Sequence, residues 1–268
     1  MSIPFPETAL IGRGAQADVY LFEGQAVKLF HPGAKEDAVL YEADIQQKIY
    51  NAGLSAPRVF GISQFDDQYA IFMEHVQGIS LGELIDKDPS RALEYLRLAA
   101  SLQARVHQTP GTGLPSQREK LRRRIQAAPR LSEDMRQRLL ARLDGLAHDS
   151  VVCHGDFHPY NLIQTKDGLA IIDWVDATCG SAQADVCRTY LLYLLHGRMA
   201  AEPYLQLYCE AAQAKREAVL AWLPVLAGAR LYEAGRGDDE GLLMELVQGA
   251  LPLDPAKGSS TPPPPVAP

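Results

Sequence analysis

The chain has 268 residues, of which 33 are Asp or Glu, 26 are Lys or Arg, and 47% are hydrophobic. This length and composition allow a buried core, which excludes a peptide, a collagen and a disordered chain. The net charge of -7 argues against a general nucleic-acid-binding protein, because affinity for the phosphate backbone depends on an excess of basic side chains. No apolar run reaches the roughly 18 residues of a membrane span, and residues 1–10 lack a signal-peptide pattern, so we predict a cytoplasmic, soluble protein.

The pattern of apolar residues changes along the chain. Short runs between Gly, Pro and Asp predict strands at residues 18–22, 25–30, 58–62 and 68–73. Helical periodicity predicts helices at residues 34–50, 90–107, 117–128 and 132–147, a strand at 151–152, and helices again from about residue 184. We therefore predict an α+β fold with a strand-rich lobe over 1–76, a helical lobe over 77–252 and a proline-rich, disordered tail over 253–268.

Two glycines, Gly12 and Gly14, precede a β-branched strand that includes Val19. Glycines allow backbone amides to approach a phosphate group closely. The third glycine of the usual nucleotide-binding pattern is replaced by Ala17, so the segment is equally compatible with an ordinary hairpin turn.

Lys28 lies within an apolar strand and shares one face with Ala26 and Phe30. A buried ammonium group needs an anionic partner, and Glu42 is a candidate because it falls on an apolar helical stripe. The other members of that stripe are Ala38, Ile45 and Ile49. The alternative is that Lys28 extends to solvent at a strand edge and Glu42 lies at the margin of the stripe.

The most informative segment is Cys153-His154-Gly155-Asp156-Phe157-His158-Pro159-Tyr160-Asn161, which Ile171-Ile172-Asp173-Trp174 follows. Between them the sequence predicts a hairpin with a three-residue loop at 166–168, which would place Asn161 directly opposite Asp173. An amide oxygen and a carboxylate that lie so close together can share one Mg²⁺. Asp156, on the preceding loop, would then accept a proton from a substrate hydroxyl.

Together these segments resemble the aminoglycoside phosphotransferase family of protein-kinase-like small-molecule kinases. The resemblance extends from Leu10 to about Leu251 and depends mainly on the His-Gly-Asp-x-x-x-x-Asn and Ile-Asp-Trp segments. It implies a two-lobed fold with a small antiparallel sheet and a larger helical lobe. It also implies that Asp156 is the catalytic base and that Asn161 and Asp173 hold Mg²⁺.

The resemblance further implies how ATP would be bound. Lys28, positioned by Glu42, would contact the α- and β-phosphates, and the two glycines would cover them. Val19 and Ala26 would belong to the nucleotide site, and the backbone of Glu74 and Val76 would hydrogen-bond adenine. His154 and Asp185 resemble positions that brace the catalytic loop.

The expected acceptor is a hydroxyl group of a small molecule: an aminoglycoside-like antibiotic, an amino alcohol or a sugar. Asp185 follows Asp173 by only twelve positions, without an Ala-Pro-Glu motif between them, which disfavours protein kinase activity. A nucleotide-binding pseudokinase, or a protein that only binds a partner, is the alternative from a different class. The sequence leaves the acceptor and the oligomeric state open.

Four further patterns have competing interpretations. Cys153, His154, Asp156 and His158 contain the ligand types of a zinc site, but no second pair at zinc-site spacing follows. The segment from Arg118 to Arg142 has nine Lys or Arg against three acidic residues, which favours a solvated helical face over a surface for anions. A cationic acceptor would fit an acidic group made of Glu233, Asp238, Asp239, Glu240 and Glu245, or an aromatic cage made of Trp222, Tyr204 and Tyr208. We favour an exposed loop for the former and helix packing for the latter.

Overall fold

The computed structural model describes residues 5–233 and 237–249. They form two compact units. The first contains the residues up to Leu84 and also Tyr160–Val175, whereas the second contains Ile85–Pro159 and the residues from Asp176 onward. The predicted tail, 253–268, lies outside the described residues, and the predicted lobe boundary at Val76 stays a prediction.

The first unit contains a five-stranded antiparallel sheet in the order β1-β2-β3-β5-β4. Its strands are β1 Leu10–Arg13, β2 Ala17–Phe22, β3 Gln25–Phe30, β4 Val59–Phe65 and β5 Gln68–Glu74. Both faces of the sheet are covered, one by a cluster that includes Phe30, Val39 and Ile71, and the other by a cluster around Phe5 and Val27. The four predicted strands are confirmed, although β4 continues three residues beyond the prediction.

The helix α1, Glu36–Asn51, contacts β4 and β5. Glu42, Ile45 and Ile49 are buried as the sequence predicts, but Ala38 is exposed. Val39 takes the inward position because the buried stripe runs through residues 39, 42 or 43, 46 and 49. The predicted stripe is therefore wrong at Ala38, where the neighbouring Val39 is buried instead, but the prediction that Glu42 lies among apolar residues is correct.

A three-stranded sheet completes the first unit, in the order β6-β8-β9. Its strands are β6 Ile79–Ser80, β8 Leu162–Thr165 and β9 Gly168–Ile171. The helix α2, Leu81–Lys87, follows β6 and begins with a reciprocal capping box. The Glu83 amide donates to the Ser80 hydroxyl at 3.1 Å, and the Ser80 amide donates to the Glu83 carboxylate at 2.9 Å.

The predicted hairpin register is wrong by one residue. Thr165 pairs with Gly168, so only Lys166 and Asp167 form the loop, and the Thr165 hydroxyl accepts a hydrogen bond from the Asp167 amide. Asn161 consequently lies opposite Ile172, whose amide donates to the Asn161 carbonyl at 3.0 Å. Asn161 and Asp173 are not cross-strand partners, and any metal site must be argued from the cleft described below.

The second unit consists mainly of helices. They are α3 Ala92–Val106, α4 Gln117–Ala127, α5 Glu133–Gly145, α6 Ala182–His196, α7 Arg198–Ala212, α8 Arg216–Leu220, α9 Leu223–Arg230 and α10 Glu240–Val247. Two short strands, β7 Val151–Cys153 and β10 Thr178–Gly180, pair in antiparallel orientation, and residues 154–177 lie between them in the sequence. The helix predicted at 90–107 corresponds to α3, in which Leu96, Ala100 and Ala104 are buried and Leu93 is 55% exposed.

Candidate active site

The first unit contains a cleft of about 500 Å³. Every residue that the sequence assigned to nucleotide or metal binding lines it: Gly12, Gly14, Val19, Ala26, Lys28, Glu42, Glu74, Val76, Asn161 and Asp173. The volume falls within the usual range for small-molecule sites, roughly 300–1,000 Å³. The structure therefore brings together residues that are up to 161 positions apart in the chain.

Lys28 is the central cation of this cleft. It lies in the middle strand β3, where it pairs with Val19 on one side and Ile71 on the other, so it is not at a strand edge. Its Nζ lies 2.5 Å from Glu42 Oε1 and 3.3 Å from Asp173 Oδ1. Burial lowers the pKa of Lys28, but the two carboxylates outweigh this effect and the pKa lies above its ordinary value.

Asp173 has an unusual backbone conformation, with φ of 61°. Few residues other than Gly adopt this left-handed region, although Asp and Asn tolerate it better than most. Such conformations concentrate at functional sites, where the surrounding structure maintains them. Here the conformation places a 40%-exposed carboxylate beside Lys28 at the cleft wall.

The glycine loop approaches its own backbone closely. The Gly14 amide donates to the Ala17 carbonyl at 3.0 Å, and a Cβ on Gly14 would lie 2.9 Å from that carbonyl oxygen. The requirement for glycine at this position therefore comes from the turn between β1 and β2. The same turn leaves Gly12 and Gly14 at the cleft.

The segment after β5 presents backbone groups to the cleft. The Glu74 amide already donates to the Arg58 carbonyl at 2.8 Å. Of the backbone groups of Glu74, the carbonyl is therefore the one that could accept a hydrogen bond from a bound ligand. Within the described residues, no backbone hydrogen bond engages the Val76 amide. The cleft also has walls that the sequence analysis missed: Ile71, Met73, Ile163 and Ile172. Their apolar side chains carry no signal that distinguishes a binding wall from a core.

Asp156 belongs to the second unit and is part of the loop after β7. His158 Nε2 lies 3.5 Å from Asp156 Oδ2, a contact that the sequence analysis did not anticipate. Burial raises the pKa of Asp156, but His158, Arg188 and His154 outweigh it, and the pKa lies below its ordinary value. The carboxyl group is therefore ionised at neutral pH and accepts hydrogen bonds.

The loop is held by Asp185, as the resemblance implied. This carboxylate is fully buried and accepts hydrogen bonds from the His154 amide at 3.1 Å and the Gly155 amide at 2.7 Å. Gln103 Nε2 donates to it at 2.9 Å, and His107 Nε2 lies at 3.0 Å. Four groups thus converge on one side chain, which satisfies the buried charge.

We predict that Asp185→Asn destabilises the protein by about 3–5 kcal/mol at pH 7, because it leaves buried donors facing an amide. Burial raises the pKa of Asp185, but its partners lower it below the ordinary value, so the stabilisation is present above about pH 4 and is lost as pH falls further. Urea unfolding of wild type and variant at pH 7 and pH 3 measures this. Exposed Asp144→Asn is the control; an Asp185→Asn effect equally large at both pH values would contradict the prediction.

The proposed zinc ligands do not form a metal site. Within residues 5–233 and 237–249, no three His, Cys, Asp or Glu side chains are arranged to hold a metal ion. The Cys153 thiol donates to the Ser181 carbonyl, and the Asp156 amide donates to His154 Nδ1. In the same part of the chain, no helix is long and apolar enough to cross a bilayer.

Comparison with solved structures shows the same fold at low sequence identity. The choline kinase LicA from Streptococcus pneumoniae has a TM-score of 0.58 and 17% identity, over 90% of this chain and 91% of that one. Aminoglycoside phosphotransferase APH(4)-Ia, a thermostable mutant in a ternary complex with ADP and hygromycin B, has a TM-score of 0.60 and 14% identity, over 90% and 86%. Aminoglycoside-3'-phosphotransferase of type VIII has a TM-score of 0.58 and 19% identity, over 83% and 90%. These similarities confirm the predicted α+β, kinase-like fold class.

Comparison of the sequence with models of protein families identifies the family of this chain. Residues 7–231 match the phosphotransferase enzyme family, and the chain belongs to that family. A comparison with curated proteins finds no match.

Proposed function

We propose that this protein is an ATP- and Mg²⁺-dependent phosphotransferase that transfers the γ-phosphate to a hydroxyl group of a small molecule. The observation that carries the proposal is the position of Lys28 between Glu42 and Asp173, in a cleft that Asn161 also lines. A cation that two carboxylates hold in place is ready to bind phosphate oxygens.

The cleft suits an adenine nucleotide. Its apolar residues Ile71, Ile163 and Ile172 offer a surface for a flat base, while the Glu74 carbonyl and the Val76 amide offer one acceptor and one donor. Gly12 and Gly14 bring backbone close to where the phosphates would lie. ADP occurs in the complexes of two of the similar aminoglycoside phosphotransferases, which supports the choice of nucleotide.

The donor set also fits Mg²⁺. Asn161 and Asp173 supply amide and carboxylate oxygens, which Mg²⁺ prefers, and Mg²⁺ usually completes its shell with water and substrate phosphates. The lack of a three-residue His, Cys, Asp or Glu cluster in the described part of the chain is compatible with such a site. When bound, the ion would neutralise charge on the phosphates.

Asp156 is the residue we assign to the acceptor hydroxyl. Its carboxylate is ionised, so it would accept the hydroxyl hydrogen bond, orient the attacking oxygen and take the proton as the new bond forms. Its low pKa makes it a weak base before transfer, so orientation is its main contribution. Membership of the phosphotransferase enzyme family and the similarity to choline and aminoglycoside kinases support a small-molecule acceptor.

Thermal unfolding tests the nucleotide site without an acceptor. MgATP should raise the Tm of wild type, because a ligand that binds the folded state stabilises it. Lys28→Met should abolish most of that increase, whereas Lys48→Met, which removes a partly exposed lysine of α1, should retain it. An equal increase in the Lys28→Met variant would contradict the assignment of Lys28 to the phosphates.

A further inference from the structure

The second unit contains a cluster of ion pairs that the sequence analysis did not predict. We call it the ionic cluster; its members are Lys120, Arg124, Asp176, Arg188, Arg230, Glu233 and Asp238. Lys120 and Arg124 come from the arginine-rich segment that favoured a solvated face. Their side chains are only 19% and 22% exposed, so for these two residues that interpretation is wrong.

Basic groups outnumber acidic ones in the ionic cluster, four to three. Glu233 is shared by three guanidinium groups: Arg124 at 2.5 Å, Arg188 at 3.1 Å, and Arg230. Asp176 is shared by Lys120 and Arg124, while Asp238 contacts Arg230 and His196. The next carboxylate, Asp156, interacts electrostatically with Arg188 and also with His158, whose Nε2 lies 3.5 Å from its Oδ2.

The pKa of Lys120 lies below its ordinary value. Burial lowers its pKa, and the neighbouring Arg124 and Arg188 lower it further, so that Asp176 does not fully compensate. A partly buried ammonium group in this position is stabilised by an added anion. Lys120 and Arg124 are also the most exposed basic members of the ionic cluster, so an anion from solvent can reach them.

The ionic cluster adjoins the loop that carries Asp156. Arg188 Nε donates to the Gly155 carbonyl at 3.3 Å. Gly155 has φ of 84°, and a Cβ there would lie 2.8 Å from the Asp176 carbonyl oxygen, so these two backbone segments are in direct contact. A small molecule that presents a hydroxyl to Asp156 therefore has basic side chains nearby for another of its groups.

Of the five acidic residues considered for a cationic acceptor, four already have partners, and Glu245 is exposed on α10. Glu233 and Asp238 are bound to arginines, and the Asp238 side chain is fully buried. Asp239 caps α10 and Glu240 pairs with Arg130. The aromatic residues Trp222, Tyr204 and Tyr208 are each at most 3% exposed, which confirms that they pack between helices.

We propose that the acceptor carries a compact oxyanion, phosphate or carboxylate, and that Lys120 and Arg124 bind it. The role of this anion in an acceptor rests on the proposed function, whereas binding of the anion at Lys120 and Arg124 does not depend on it. An oxyanion would share the two basic groups with Asp176 and add negative charge beside Lys120. Choline and aminoglycosides, which are cations, would face basic groups instead.

Isothermal titration tests the binding step with one scaffold in three charge states: glycerol 3-phosphate, glycerate and glycerol. We expect wild type to bind one or both anions at least about tenfold more tightly than glycerol, and Lys120→Gln and Arg124→Gln each to lose most of that difference. Arg123→Gln is the matched control, because Arg123 is an exposed residue of the same helix, and it should bind like wild type. Anion binding that Lys28→Gln abolishes and Lys120→Gln retains would place the anion at the nucleotide cleft and overturn the proposal.

A second measurement keeps the result interpretable if a variant folds poorly. ADP release by wild type is compared across glycerol 3-phosphate, glycerate, glycerol, ribose 5-phosphate, ribose, choline and an aminoglycoside. Turnover of an anionic compound at least about tenfold above its neutral counterpart supports the inference. Turnover that is highest with a cation or a neutral compound overturns the inference of an anionic acceptor but leaves the phosphotransferase assignment intact. The inference is also overturned if wild type binds neither anion. Anion binding at Lys120 without ADP release from any acceptor would support the anion site and count against the proposed reaction.

Discussion

Replacement of Asp156 by Asn should lower kcat by at least roughly a hundredfold, because an amide orients the acceptor hydroxyl less well than a carboxylate and cannot take its proton. The dissociation constant for MgATP should change little, since Asp156 is not among the residues that line the nucleotide cleft. Steady-state kinetics with an identified acceptor, together with nucleotide titration, separates the two effects.

The control for this experiment is Asp144→Asn, which removes a carboxylate that is 55% exposed in the same unit and should leave both constants unchanged. Asn also preserves the size of the side chain, so a stability measurement identifies any loss of folded protein. An Asp156→Asn enzyme with at least half of the wild-type kcat would show that another group receives the proton.

Replacement of Asp173 by Asn should remove the metal dependence of nucleotide binding. The affinity for MgATP should fall by at least about tenfold. Loss of a residue that only supports a metal ligand already lowers metal affinity by roughly that factor, and Asp173 would bind the metal directly. Binding of ATP without Mg²⁺ should weaken less, because Lys28, 3.3 Å from Asp173, keeps its contact with Glu42. Titration of ATP with and without Mg²⁺ measures both quantities.

Asn is the suitable substitution because it tolerates the left-handed conformation of residue 173 nearly as well as Asp does. The matched control is Asp167→Asn, in the exposed loop of the same hairpin. If Asp173→Asn retained a wild-type preference for MgATP over ATP, the magnesium site would not include this carboxylate.

Much of the candidate site was predictable because its chemistry is encoded in local spacing. Lys28 stands out as a charge within an apolar strand, and Glu42 as a charge on an apolar stripe, and the structure joins the two. The stripe itself was predicted with Ala38 in place of Val39, yet the inward position of Glu42 did not depend on that choice.

The hairpin shows why register is harder to predict. A loop of two residues rather than three moves the partner of Asn161 from Asp173 to Ile172. The sequence Lys166-Asp167-Gly168 permits both loops, because Gly168 can end the loop or begin the strand. Both site residues still reach the cleft, since each lies just beyond the end of its strand.

Long-range charge pairing was the least predictable feature. The residues of the ionic cluster come from α4, α6, α9 and the segments after Asp173 and Arg230, and no local pattern relates them. Taken alone, Lys120 and Arg124 look like any other basic residues on a charged helix. Only the tertiary structure shows that they face carboxylates rather than solvent.

Product analysis with ATP labelled at the γ-phosphate tests most directly whether this chain transfers a phosphoryl group to a small molecule. Wild type is incubated with Mg²⁺, labelled ATP and a panel of anionic, neutral and cationic hydroxyl compounds, and products are identified by mass spectrometry. We predict one phosphorylated acceptor, formed in equal amount to ADP and absent with Asp156→Asn. A protein that binds MgATP but gives neither ADP nor a phosphorylated product with any acceptor would rule out phosphoryl transfer and favour a pseudokinase.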